Sequence, residues 1–478
     1  MGSASLQFIG YGIAVAILIN LNASVIWRQL ILLLASAGFL TFFSSTFFTF
    51  VPLLSFVAFG FLSVRTVQVY GARAFLPLLI IAIIAFVWLK KYAFIPATLL
   101  LTFPYVTLGL SYIFFRVLHL IIDAHGKDLP SRISVLEYLN YTLNFTTLVS
   151  GPIQTYQEFA QTQLAETPLP LNTVVIGHSL TRIIAGFFKV NVLSLFLLMA
   201  QTSALTSLSS SSAGNGRIIT VVIIVAIYPL YLYCNFSGYI DVVIGIARLM
   251  RIELPENFNR PFSSQSFLIF WSRWHITLSA WLKTYVYNPL LISCMQRWQS
   301  PAAEPFIAVF AFFFTFFLIG AWHGQTSEFL FYGVPLGLGV SVNKLYQILM
   351  AKWLGRPKYN ALTRRWLYGT LARGITFTWF AFSLLWFWSN WAQLGTIAAS
   401  LRGAEMAAVW LVIWVASSLT LAGWELARRW LLSYQFENRP LILSRYFRTV
   451  ACTVYIVVAV VTIFVLNSPA PDIVYKAF

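Results

Sequence analysis

Along this chain apolar residues run in blocks and do not alternate with polar ones. Leu30–Val64, Phe75–Trp88, Ile218–Tyr233, Pro305–Trp322, Ile375–Trp391 and Thr449–Leu466 contain no charged residue. A bilayer core takes about 20 apolar residues per helix, and only structures that satisfy their backbone polar groups internally survive there. The pattern therefore predicts an all-α, polytopic integral membrane protein with roughly eleven transmembrane helices, the shorter broken runs being re-entrant or interfacial. Leu6–Leu21 lacks the basic region and cleavage site of a removable signal peptide and reads as a retained first helix. Leu148-Val-Ser-Gly-Pro-Ile153 should end a helix in or near the membrane. Thr173–Lys189 places Arg182 and Lys189 on one side of an apolar helix, which suggests a segment lying along the interface. Nothing marks a separate soluble domain, so residues 1–478 read as a single membrane-embedded domain.

Composition agrees with the pattern. Of 478 residues 59% are hydrophobic and 9% charged, against about 25% charged in an ordinary soluble domain. The net charge of +17 would suggest nucleic acid in a soluble protein, but here the basic residues sit in short loops and the positive-inside rule accounts for them, so no nucleic-acid partner is expected. Lys352, Arg356, Lys358, Arg364, Arg365 and Arg373 share one loop, and Arg428, Arg429, Arg439, Arg445 and Arg448 the next but one. Both loops should be cytoplasmic. Spans near Ile375–Trp391 and Met406–Ala422 then make Leu394–Glu405 external, and the tail Asn467–Phe478 extracytoplasmic. Thr202–Asn215, serine-rich and uncharged, reads as another external loop. Cys234, Cys294 and Cys452 show no metal or redox spacing, and no metal is expected.

Ionisable groups are costly in hydrocarbon, so those found there mark cavities and reaction paths. Asn235, Ser237, Tyr239 and Asp241 fall within one near-membrane stretch. For Asp241, pairing with a nearby arginine competes with a role in a site. Phe267, Phe270, Trp271, Trp274, Leu278, Trp281, Leu282 and Tyr285 recur every three or four residues, predicting an aromatic helix face with Arg273, His275 and Ser279 off its centre. Only five histidines are present, and two of them, His275 and His323, directly follow Trp274 and Trp322. A histidine at the end of an apolar segment can take a proton from a hydroxyl and pass it to a leaving group. Nucleophile elbows and Walker, HExxH and GxGxxG patterns are absent from the sequence. Direct transfer, in which histidine activates an acceptor hydroxyl toward a thioester or ester, fits that inventory better than an enzyme-bound intermediate. His119, His125 and His178 sit in less distinctive surroundings, where structural roles are expected.

Taken in order, Leu110-Ser-Tyr-Ile-Phe-Phe-Arg116 with Asp123, Leu148-Val-Ser-Gly-Pro-Ile153, Asn235-Phe-Ser-Gly-Tyr-x-Asp241, Pro255-Glu-Asn-Phe-Asn-Arg-Pro261, Phe270-Trp-Ser-Arg-Trp-His-Ile-Thr-Leu-Ser-Ala-Trp281 and Gly320-Ala-Trp-His-Gly324 carry a resemblance. Together they resemble the bacterial branch of the membrane-bound O-acyltransferase family over about residues 111–344. The resemblance implies a multi-helix enzyme with a central tunnel in the bacterial cytoplasmic (inner) membrane. No cofactor would be bound; the donor would be an acyl thioester, acyl-coenzyme A or an acyl carrier protein, entering from the cytoplasm. An acetyl or similar short acyl group would pass toward a hydroxyl of an envelope or secreted polysaccharide, with an extracytoplasmic acyltransferase or polysaccharide-modifying protein as partner. It places His323 on the family's catalytic histidine and His275 on its second motif histidine, while Asn235, Asp241, Arg273, Trp274 and Trp322 fall on supporting or substrate-contacting positions. Relatives carry Arg-Asp where this chain has Lys283-Thr284. The terminal Ile473-Val-Tyr-Lys-Ala-Phe478 resembles an aromatic C-terminal motif, which makes Tyr475 a candidate acyl acceptor or docking residue. A lipid or polysaccharide transporter and a non-catalytic scaffold subunit are the competing readings.

Overall fold

A computed structural model describes residues 5–210, 216–436, 439–466 and 471. Helix dominates, and the one strand pair among the described residues is the two-residue ribbon Gln435–Phe436 with Arg439–Pro440. Among the described residues seven helical segments are long and apolar enough to cross a membrane: Phe47–Tyr70, Ala72–Leu89, Thr173–Ser209, Arg217–Leu249, Glu304–His323, Gly403–Ser433 and Arg445–Leu466. Leu6–Asn20 and Val25–Thr41 are apolar but shorter. The gap from roughly eleven expected spans lies in those two and in helices that carry polar side chains, such as Leu110–Gly126 with buried Arg116, His119 and Asp123.

Several boundaries differ from the pattern-based reading. Thr202–Ser209 is the end of the helix Ser194–Ser209 and not a loop. Its hydroxyls bond back to the preceding turn, Thr206 Oγ1 to Thr202 O at 3.0 Å and Ser209 Oγ to Thr206 O at 2.9 Å, which lets hydroxyl residues stay helical. The apolar block Ile375–Trp391 is divided: the helix Trp366–Ser383 starts earlier, a short turn of helix covers Leu385–Trp388, and Asn390 caps a new helix, Trp391–Ala399, through a capping box with Gln393. The connection expected at Leu394–Glu405 is therefore largely helical. The break at Leu148–Ile153 is present, the chain resuming as the helix Tyr156–Gln163 under a Thr155–Glu158 capping box. Lys189–Leu193 and Lys283–Tyr287 are π-helical turns that join flanking α-helices. Tyr475 and most of the tail lie outside the described residues.

The described residues form two compact units. The first holds the chain up to Val190 together with Phe236–Pro255. Within it the helices Thr173–Phe188 and Arg217–Leu249 cross on small residues: a Cβ on Gly186 would strike the Gly238 carbonyl, and one on Gly245 would press on Ser179 and Ile183. Glycine allows that approach, and the approach sets what the polar side chains can reach. Arg182 Nε lies 2.9 Å from Asp241 Oδ1, and Lys189 Nζ 2.6 Å from Oδ2. The second unit holds Asn191–Asn235 and Glu256–Pro471. One of its cores joins Val221, Ile224 and Val225 to Phe377, Ala381, Leu385, Val409 and Ile413.

Asp241 is thus the clamp between two cationic side chains. Each of the three side chains keeps 18–29% exposure, which puts the pair between a surface salt bridge worth about 0–1 kcal/mol and a buried pair whose rupture costs about 3–5. Asp241→Asn is expected to cost about 1–2 kcal/mol, read as a lower midpoint in thermal unfolding of the detergent-solubilised chain.

Candidate functional site

Glycine builds the seat of His323. The helices Glu304–His323 and Ser327–Leu354 form a hairpin in which a Cβ on Gly320 would strike Gly333 N and Phe329 O, and one on Gly333 would strike Phe317 O. The backbones are in contact, and this fixes the last turn of the first helix. His323 ends that helix at 1% exposure. Its ring packs edge-on against Phe387 at 5.3 Å and beside Trp322 and Tyr332 at 4.7 and 5.8 Å between centroids.

His275 is held differently. The aromatic face from Phe267 to Tyr285 is not one helix: Phe267–Trp271 ends, the chain turns, and Ile276–Leu282 begins with His275 as its left-handed N-cap at φ 46°. Local periodicity could not show this break, because its cause lies 18 residues upstream. Phe258 and Trp274 form an isolated antiparallel bridge, Asn259 N donates to Arg273 O (2.9 Å) and Ile276 N to Asn257 O (3.0 Å). The Asn257 side chain completes the clasp. Its Oδ1 accepts from Thr277 N (3.1 Å) and Thr277 Oγ1 (2.9 Å) and lies 3.2 Å from His275 Nδ1. An atom that accepts a backbone N–H is the amide oxygen, so Nδ1 is the donor and the lone pair of the neutral imidazole resides on Nε2. Asn257, at 0% exposure, is the supporting residue that sequence reasoning passed over, although it lies within the Pro255–Pro261 segment.

Removing Asn257 would take away the oxygen that Nδ1–H and the two Thr277 donors share. Asn257→Ala should cost about 2–4 kcal/mol, since it removes three buried hydrogen bonds each worth about 0.5–1.5, and should weaken any activity that depends on His275. Matched thermal melts and turnover measurements check both effects.

Burial pushes the His275 imidazole down to about 3 from its ordinary 6.5. A depressed histidine contributes stability that is fully present above the unfolded value and is lost as pH falls below it. Between pH 7.5 and 5 this one group should destabilise the fold by about 2 kcal/mol. His275→Asn, which tolerates the left-handed backbone, should show a flatter stability profile over that range.

The other candidates separate. Trp274 is a packing residue at 1% exposure, stacked on Phe270 at 5.6 Å and edge-on to Phe258 at 5.2 Å. Arg273 donates from Nη1 to Ser263 Oγ at 2.7 Å and steadies the same turn. Asn235 is fully buried in the helix Arg217–Leu249. It shares the second unit with His275, His323, Arg273, Trp274 and Trp322, whereas Asp241 belongs to the first. Between the two histidine-bearing segments lies a cavity of about 370 Å³ walled by Trp271, Ile276, Ser279, Lys283, Phe312 and Phe316. Its Phe316 wall is about 10 Å along the helix axis from His323. Among the described residues no three His, Cys, Asp or Glu side chains gather as a metal-ligand set.

His119 has a structural placement in the first unit. Its Nε2 accepts Tyr156 N–H at 3.0 Å and its Nδ1 faces Asp123 Oδ2 at 3.4 Å, and Asp123 in turn accepts from Gln157. That chain ties the helix Leu110–Gly126 to the segment beyond the Leu148–Ile153 break.

A helical membrane protein with one histidine packed among aromatic rings at the end of an apolar helix and a second clasped by a buried asparagine is the class that fold and site define. The chain belongs to the membrane-bound O-acyltransferase family, whose model matches residues 78–387. It is 26% identical to a teichoic acid D-alanyltransferase of Bacillus subtilis over 54% of this chain and 63% of that protein. With a probable alginate O-acetylase of Pseudomonas aeruginosa the identity is 28% over 51% and 44%. A peptidoglycan O-acetyltransferase of Helicobacter pylori is 31% identical over 44% and 38%. The chain thus spans between about two fifths and two thirds of the length of these relatives.

Proposed function

We propose that this protein is a membrane O-acyltransferase that moves an acetyl or other short acyl group from a thioester donor on the cytoplasmic side to a hydroxyl acceptor beyond the membrane, for modification of a cell-envelope or secreted polysaccharide. The observation that carries the reading is His323, buried at the end of an apolar helix inside the family-matched segment. In the step proposed, His323 takes the acceptor hydroxyl proton as the oxygen attacks the thioester carbonyl. The C–O bond forms, the C–S bond breaks, and the proton passes to the departing thiolate. His275 positions the reacting groups. The 370 Å³ cavity, mostly apolar with Ser279 and Lys283 at its wall, is of a size and character to admit a short acyl group and its thioester arm. The activities after which the relatives are named, on teichoic acid, alginate and peptidoglycan, support an envelope polymer as acceptor. Acyl-coenzyme A or an acyl carrier protein would be the donor, an extracytoplasmic polysaccharide-modifying protein the partner, and the cytoplasmic membrane of a bacterium the location. Tyr475 is retained as a candidate acceptor or docking residue.

The test is purified protein in liposomes with labelled acetyl-coenzyme A, or a labelled acyl carrier protein, outside and a hydroxyl acceptor inside. Protein-dependent thioester consumption with label on the acceptor supports the reading. Movement of intact substrate without thioester consumption would establish a transporter instead.

A further inference from the structure

A second cavity, of about 410 Å³, lies between the helices Ser327–Leu354 and Trp366–Ser383, and neither histidine lines it. Phe267, Val342, Leu371, Ile375, Trp379 and Trp414 make it largely apolar. Its lining on the second helix runs from Tyr368 to Trp379, about 16 Å of axis at the helical rise. Asn343, Tyr346 and Tyr368 lie toward the end where the two helices are joined by the short basic helix Arg356–Thr363 and the following Arg364 and Arg365; the single loop expected for these residues is thus largely helical. The slot is therefore apolar along its length and polar at its basic end.

Two arginines converge beside it. Arg273 Nη1 donates to Ser263 Oγ at 2.7 Å and Arg373 Nε to Ser263 O at 3.3 Å. Ser263 lies two residues before Gln265, and Arg373 directly after Ala372, both of which line the slot. Neither guanidinium forms an ion pair among the described residues. The carboxylate nearest in influence on Arg373 is Glu425, which is itself engaged by Arg428 at 3.9 Å and Arg429 at 3.3 Å. The local balance around Ser263 is positive, next in sequence to residues that line the apolar crevice.

We propose that this crevice is a binding site for one anionic phospholipid of the surrounding bilayer, with an acyl chain between the two helices and the phosphate against Arg373 and Arg273. Lipid tails are as apolar as the walls, so the chain alone supplies little selectivity. Selection falls to the headgroup, because planar guanidinium donors match phosphate oxygens, and basic pockets between membrane helices recognise anionic lipids. A neutral lipid would leave both guanidiniums without counter-charge, and a soluble phosphate would make no use of the apolar slot.

Native mass spectrometry of the purified full-length chain, offered equal amounts of phosphatidylglycerol and phosphatidylcholine of the same chain length, tests the site. Phosphatidylglycerol should be retained selectively. Arg373→Gln should weaken its retention about fivefold, the change expected for one arginine facing an anionic lipid, and leave phosphatidylcholine unaffected. Ala372→Phe, which drives a ring into the slot, should abolish retention. A second measurement does not depend on how that variant folds: phosphatidylglycerol with brominated chains should quench Trp414, read as the difference between the unmodified chain and Trp414→Phe. Equal retention of the two lipids, an unquenched Trp414, or complete displacement of phosphatidylglycerol by millimolar inorganic phosphate would overturn the proposal.

Discussion

His323→Ala should lower acyl transfer about a thousandfold, within the range of about 10²–10⁴ that a positioned general base supplies, while the protein still accumulates and inserts. The proton must go somewhere as the acceptor oxygen attacks. The rings of Trp322, Tyr332 and Phe387 pack around His323. These rings hold the imidazole in place, and none of them carries a basic nitrogen, the Trp322 indole N–H being a donor only. His323→Gln is the companion variant, because it fills the site and bonds but does not accept a proton at neutral pH. Both variants should keep the wild-type helical signal in circular dichroism. Transfer of label from thioester to hydroxyl within tenfold of wild type in either one would remove His323 from the role of base.

The second large effect is on the fold. Gly320→Val is expected to cost more than about 3 kcal/mol, at or beyond the upper end of ordinary overpacking, because the new methyl groups meet backbone and not a side chain that can swing away. The atoms they would strike, Gly333 N and Phe329 O, belong to the facing helix, which would have to move. The expected result is loss of the monodisperse peak in size-exclusion chromatography and little protein in the membrane fraction. Gly10→Val is the control, since a Cβ there meets nothing within 4 Å, and it should behave as wild type. If both variants accumulate equally, the hairpin does not depend on that backbone contact.

Four charge-free apolar blocks, Phe75–Trp88, Ile218–Tyr233, Pro305–Trp322 and Thr449–Leu466, fall within helices long and apolar enough to cross a membrane, because the cost of burying polar groups in lipid acts on each segment locally, whereas Leu30–Val64 and Ile375–Trp391 are broken. Trp-His pairs were legible for a similar reason: an ionisable side chain at the end of an apolar run stands out without any knowledge of its neighbours. Less local causes were hidden. The break at His275 is imposed by Asn257, whose amide oxygen gathers three donors from beyond the turn, while apolar spacing on both sides continues as though one helix ran through. Thr202–Ser209 looked like a loop because hydroxyl residues favour turns, yet in the structure they bond to their own helix. Asp241 could be read either as an ion-pair partner or as part of a site. The crossing on Gly186 and Gly238, which brings Arg182 and Lys189 to it, is invisible to any single window of sequence.

The π-helical turn at Lys283–Tyr287 has a consequence for how chains of this kind are compared. Such a turn amounts to an α-helix with one residue inserted. Loss of a single residue there would restore the ordinary ladder and swing the following helix, Asn288–Arg297, by about 100°. Lys283 and Thr284 open that turn. A column-by-column alignment that ignores the extra residue would pair side chains facing different directions from this point onward.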